Sequence, residues 1–200
     1  MTKLIQIVGT SCSGKNSVHE GIVQFVEERG FEVVRLQEPG PLEEFIRAYR
    51  RRTDKSSWTE AALFTADRIM LYDTKVFPRW EDEGLVFSSV RGLPDTVVYQ
   101  GLMGGVDVET IMRMNAAIPS ADLCLVLTVA GEVGYQRALE RHAAGGEAPS
   151  PSESPERIDA LAQQYRRLPE FFPNVDPVDT THLTKGEVLD ACVAKVREVL

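Results

Sequence analysis

The stretch that most limits the fold is an apolar run, "KLIQIV", followed at once by "GTSCSGKNS" and then by a helical pattern. A buried strand that feeds a glycine- and serine-rich turn and opens a helix is the setting of a phosphate-binding loop. There the backbone N–H groups converge at the positive end of the helix. Counting from Gly9, four residues lead to Gly14 and Lys15, and Asn16 then stands where the pattern normally has Ser or Thr. Lys15 supplies a point charge for terminal phosphates, with Gly9, Ser11, Cys12, Ser13, Gly14, Asn16 and Ser17 completing the candidate cradle. Ser17, one position late for a metal hydroxyl, is read as facing the helix, and Cys12 as a small loop filler. The competing reading is a turn that only joins strand to helix.

The rest of the chain alternates in the same way. "FEVVRL", "GLVFSS", "ADLCLVLTV" and the short "NVDPVD" read as four further strands. Between and after them lie amphipathic helical segments, "PLEEFIRAYRRR", "WTEAALFTADRIMLYDTKVFPRW", "DVETIMRMNAAI", "GEVGYQRALERHAA" and "PERIDALAQQYRRLPEFF", and a last one opened by a capping box from Thr184 to Glu187. Strands alternating with helices predict an α/β layer structure with a parallel sheet. Two hundred residues suit one domain over positions 1–200, without internal repeats. The one low-complexity piece, "AAGGEAPSPSESPE", reads as a mobile loop inside that domain.

Composition narrows the partners. A formal net charge of −8 argues against a general grip on nucleic-acid backbones, while leaving room for a local basic pocket and a small phosphorylated ligand. No apolar stretch reaches the ~18 residues of a membrane span. The start, "MTK" before the first strand, is too short for a leader. Three scattered cysteines without metal-ligand spacing point to the reducing cytoplasm.

Read in order, the loop, "QEPG" with "PLEEFIR", "LFTADR", "VRGLPDTVVYQG", "VAGEVGYQRALER" and "PERID" resemble the thymidylate kinases, from residue 3 to about residue 180. The resemblance implies a P-loop nucleoside monophosphate kinase-like three-layer fold with a five-stranded parallel sheet. It also implies ATP and Mg2+, transfer of the γ-phosphoryl to dTMP, a mobile lid at about residues 142–157, and a homodimer. Carried over residue by residue, Phe64 matches the aromatic that stacks on thymine, and Arg68 an arginine beside the acceptor's base and phosphate. Arg47 matches an arginine on the acceptor phosphate, Arg91 the arginine after the third strand, and Thr96 and Gln100 contacts to the pyrimidine. In the lid, Arg137, Arg141 and Arg157 match cations that close over ATP, because the loop at Gly9 contains no arginine. Each has a plainer reading beside it: a core phenylalanine for Phe64, solvated charges for the arginines.

Three departures from that pattern bear on activity. Ser11 and Val90 stand where the family usually has acids, and the segment from Pro39 to Leu42 is about two residues shorter than usual. Glu38 is retained, and Asp95 stands where a small hydroxyl residue is usual. The groups that hold the metal are unknown at this level. Three functions are therefore open: a thymidylate-kinase-like enzyme with a rearranged site, a kinase for another or modified pyrimidine nucleotide, and a nucleotide-binding homologue with little catalysis.

Overall fold

A computed structural model describes residues 2–200. Strand β1 (Lys3–Gly9) runs through the centre of the molecule. It is followed by helix α1 (Lys15–Glu27), strand β2 (Glu32–Gln37), helices α2 (Glu43–Arg50) and α3 (Ser57–Lys75), and strand β3 (Leu85–Val90). A short helix α4 (Leu93–Thr96) runs on into a π-helical turn, Val97–Leu102. Helix α5 (Val108–Met114), strand β4 (Leu123–Thr128), helices α6 (Gly131–Ala143) and α7 (Pro155–Tyr165), strand β5 (Val175–Asp179) and helix α8 (Lys185–Val199) complete the chain.

The five strands form one parallel sheet in the order β2-β3-β1-β4-β5. Alternation along β1 sends Ile5 and Ile7 to one face, where they meet Val18, Ile22 and Val26 of α1 and Val188, Cys192 and Val196 of α8. Val8 goes to the other face, with Ala61, Val97, Ile111, Leu161 and Tyr165; Leu4 lies there too, with Leu71, Tyr72 and Val76. Both faces are covered, so β1 and β4 are near-continuous apolar runs instead of alternating ones.

The predicted strands and helices are all present, with differences at their ends. The segment that begins at Trp58 leaves α-helix after Lys75, because Pro78 lacks the N–H that would continue it and a 3-10 turn, Phe77–Arg79, follows. The segment after Pro155 likewise stops at Tyr165, ahead of Pro169. Pro177 is accommodated because β5 is an edge strand with no neighbour beyond it. The predicted capping box is present, with Glu187 N–H donating to Thr184 Oγ1 at 3.3 Å and Thr184 N–H to Glu187 Oε2 at 2.8 Å. No helix among the described residues is long and apolar enough to cross a membrane.

Candidate active site

The phosphate loop leaves β1 through backbone that only glycine tolerates. Gly9 has φ +136°, and a Cβ there would lie 1.9 Å from the Leu127 carbonyl oxygen. The same oxygen accepts the Thr10 N–H at 3.0 Å, stapling the loop to β4. Ser13 Oγ donates to the Thr10 carbonyl at 2.9 Å, Cys12 adopts φ +60°, and Gly14 at φ +92° delivers the chain into α1. That helix begins with no side-chain cap and no acidic residue in its first turn, so its leading N–H groups are left for an anion. Asn16 and Ser17 are exposed on this turn.

Lys15 folds back over the loop, its Nζ donating to the carbonyls of Gly9 at 3.1 Å and Thr10 at 2.6 Å. Burial, with the Arg91 charge adding to it, lowers its pKa to about 8. A polyphosphate requires the protonated amine, so binding takes up a proton once the free protein has begun to lose it. ATP affinity is therefore expected to be flat below pH 7 and to weaken above pH 8 by up to about tenfold per pH unit. Calorimetry in buffers of different ionisation enthalpy reads the proton uptake directly.

Beside the loop, at the carboxyl ends of β1, β2 and β3, lies a cleft of about 190 Å³, where ligands sit in open parallel sheets. Ser11, Glu38, Phe64, Arg68, Arg91, Thr96 and Gln100 all line it. Arg68 is fully buried, with Nε at 3.1 and 3.0 Å and Nη2 at 2.7 Å from the Glu38 carboxylate. Nη2 also donates to Thr96 Oγ1 at 3.0 Å and Nη1 to Asn115 Oδ1 at 2.8 Å. Asn115 is fixed in turn on Thr65 Oγ1 and the Ile111 carbonyl. Most of the Arg68 fork is thus spent on protein, and the residue builds the cleft floor. Its neighbour Asp67 accepts the N–H groups of Gly40 and Leu42, each at 2.7 Å, and so fixes the shortened loop after β2.

Phe64 is half-buried and lies outside the three apolar clusters of the core. Gln100 donates to Glu60 Oε2 at 2.9 Å. Arg47 does not line the cleft. It is 67% exposed at the side chain and paired with Glu43 one turn earlier, at 2.6 Å. Arg50, three residues on, lines the cleft instead, 3.7 Å from Glu60. Gly92, Asp95, Tyr99 and Ser152 complete the lining. Asp95 accepts Tyr165 OH at 2.5 Å and the Gly92 N–H at 3.0 Å.

Helix α6 and the segment after it touch the phosphate loop through three charges, Arg137 and Arg141 on the helix and Glu153 beyond it. Arg141 donates to both oxygens of Glu153, at 3.0 and 3.2 Å, and Cys12 Sγ lies 3.4 Å from Glu153 Oε1. Burial would raise the Glu153 carboxyl, but donation from Arg141, Ser150 N–H and Cys12 outweighs it and brings the carboxyl down to about 2. Arg137 donates to the Cys12 carbonyl at 3.3 Å and to Thr180 Oγ1 and O at 3.0 and 2.8 Å, which ties α6 to the loop. Arg157 is exposed at the start of α7 and does not line the cleft. Among the described residues no three His, Cys, Asp or Glu side chains gather as a metal cage.

Sequence reasoning did not identify Arg50, Tyr99, Tyr165, Asp67, Asn115 or Glu153. Asp67 and Tyr99 were readable as neighbours of quoted motif residues; the others are joined to the cleft only by the fold.

The model of the family described as thymidylate kinase matches residues 7–188. A thymidylate kinase of Caldicellulosiruptor saccharolyticus is 32% identical over 68% of this chain and 68% of its own length. One of Halalkalibacterium halodurans is 31% identical over 96% and 95%, and one of Xylella fastidiosa 28% identical over 98% and 91%.

Proposed function

The chain belongs to the thymidylate kinase family, and from that premise we propose that it transfers the γ-phosphoryl of ATP to dTMP, giving ADP and dTDP. The observation that carries this reading is the continuity of one cleft. Ser11 of the phosphate loop and Phe64, Thr96 and Gln100 line the same cavity, so donor phosphates and a flat acceptor base have adjoining places. The relatives' names favour thymidylate over another pyrimidine nucleotide.

In this reading a phosphate oxygen of dTMP attacks the γ-phosphorus as the bond to the β-γ bridging oxygen breaks. Chemistry of this kind depends on positioning and on matching charge. The N–H groups at the start of α1 and Lys15 hold the donor's β- and γ-phosphates, Arg91 faces the transferring group, and Phe64 stacks on the base. Arg137 and Arg141, just before it, and Arg157, at its end, serve a lid at about residues 142–157, within a single domain over 1–200, which excludes water on closing. Magnesium would arrive with the triphosphate, with Asn16, on the exposed first turn of α1, the chain's residue at the usual metal-hydroxyl position, and would neutralise phosphate charge there.

A second copy of the chain is the proposed partner, packed through α3, whose outer stripe Trp58, Ala62, Ala66 and Met70 is exposed at four-residue spacing. The three free cysteines suit the cytoplasm, and with its acidic balance the protein takes a nucleotide and not a nucleic acid or a membrane as ligand.

The test is ADP release across all nucleoside monophosphates, with dTMP expected to be the best acceptor; a preference for another monophosphate would overturn the assignment. Within α2, Arg50→Ala is expected to raise the KM for dTMP by about 10- to 100-fold, the cost of a charge-assisted contact of ~1.5–3 kcal/mol. Arg47→Ala, which removes an exposed helix pair worth ~0.3–0.5 kcal/mol, is expected to change it less than about twofold. Steady-state kinetics of the two variants side by side reads the difference.

A further inference from the structure

We propose that Asp95 is the residue that positions Arg91, a carboxylate that lines the same cleft as an arginine with no ion-pair partner of its own among the described residues. The proposal rests on the kinase reading above. Four carboxylates lie around the cleft and the phosphate loop, and three are already committed. Glu38 is taken by the Arg68 fork, Glu153 by Arg141, and Glu60 by Arg50 and Gln100. Asp95 is left, and among the described residues it is in no ion pair, as is Arg91. Ser11 and Val90, the nearer chain positions for an acid, carry no charge.

Asp95 and Arg91 are each anchored away from the other. Arg91 sits at φ +79°, a conformation that favours glycine, held by its N–H on the Ile7 carbonyl at 3.0 Å and by Ser89 Oγ on its own carbonyl at 3.0 Å. The Asp95 oxygens are each fixed by a neutral donor, Tyr165 OH and the Gly92 N–H, which set their direction and leave a lone pair on each. The Asp95 charge is the largest favourable electrostatic influence on both Arg91 and Lys15, so it acts on the two cations that flank the transferring phosphoryl. A buried acid held by neutral donors, in the cleft that Arg91 also lines and pairing directly with neither cation, orients without sealing the site. The Asp95–Tyr165 pair thus supplies, one turn into α4, a charge that the ends of β1 and β3 lack.

The test is a cycle of Asp95→Asn, Arg91→Ala and the double variant. Asparagine keeps an oxygen for the Gly92 N–H and the size of the side chain, while the charge and the acceptor for the Tyr165 hydroxyl are lost; Tyr165→Phe alone, which removes that hydroxyl and leaves the charge, is the control. Asp95→Asn is expected to lower kcat on dTMP at least about tenfold, up to the ~10²–10³ for removing one preorganised electrostatic group. The melting temperature falls no further than in Tyr165→Phe, and any rise in the KM for ATP, through Lys15, is smaller than the loss in kcat. In the Arg91→Ala background the same change is expected to cost almost nothing, because the two residues act as a unit. Val90→Asp added to Asp95→Asn returns a carboxylate beside Arg91 and is expected to recover most of the rate. The dTMP dissociation constant, measured by calorimetry, gives the same cycle without turnover. Full activity of Asp95→Asn, or equal losses with and without Arg91, overturns the positioning role. Absence of dTMP phosphorylation by the parent chain overturns the kinase reading instead, and the calorimetric cycle then still decides whether Asp95 and Arg91 are coupled.

Discussion

Replacing Lys15 with alanine lowers kcat/KM for ATP by about 10²- to 10³-fold, the cost of removing one preorganised charge from a phosphoryl-transfer site. It also removes most of the thermal stabilisation that ATP gives. The apo protein does not melt earlier. Burial and Arg91 already press the Lys15 ammonium towards neutrality, so at pH 7 its charge costs the fold stability that only a bound polyphosphate recovers. Of the two carbonyls it now touches, that of Thr10 keeps the Ser13 hydroxyl as a donor, so the loss falls on Gly9 alone and is offset by removal of the disfavoured charge. Turnover, ATP-induced melting shift and apo melting temperature together separate this result from simple unfolding. Unchanged turnover with an unchanged ATP shift would contradict the phosphate-loop assignment.

The second large effect belongs to Phe64. Phe64→Ala is expected to weaken dTMP binding by about 1–3 kcal/mol, the range for one base stacked on one aromatic ring. That corresponds to roughly 5- to 150-fold in the dissociation constant. ATP affinity changes less than about twofold, since the phosphate loop and α1 are built without it. A core phenylalanine would behave differently, costing ~3–5 kcal/mol of stability when truncated. Phe64 is half-buried at the cleft and outside the packed clusters, so the melting temperature is expected to move little. Loss of the fold without a separate loss of dTMP affinity would return Phe64 to the core.

The fold was legible because its signals are local. Gly9, Gly14 and Lys15 lie within seven positions, the alternation of β1 separates two covered faces, and Thr184 announces α8 through Glu187. Helix ends were less legible where proline intervenes, as at Pro78 and Pro169. "VRGLPDTVVYQG" hid a helix and a π-helical turn behind a glycine and a proline, because Pro94 sits in the first turn, where its missing N–H costs nothing.

The site was half-legible for the same reason. Motif position brought Phe64, Arg68, Arg91, Thr96 and Gln100 to one cleft, but not what each touches there. Arg68 bonds Glu38 thirty residues away and Asp95 bonds Tyr165 seventy away, and no local pattern records such pairs. Arg47 matched its motif, yet the turn fixed by Asp67 leads into α2 at Glu43 with Arg47 on the outer face and Arg50 at the cleft.

The cleft is expected to phosphorylate dTMP although Ser11 and Val90 carry no acid. A rapid-quench single turnover on the unmodified chain, with saturating ATP, magnesium and dTMP, measures that step apart from binding and product release. Formation of dTDP at about 1–100 s⁻¹, the usual range for kinases, is the predicted result. Retained ATP binding with dTDP formation slower than that by about a thousandfold or more, beyond what one lost electrostatic group costs, would contradict it.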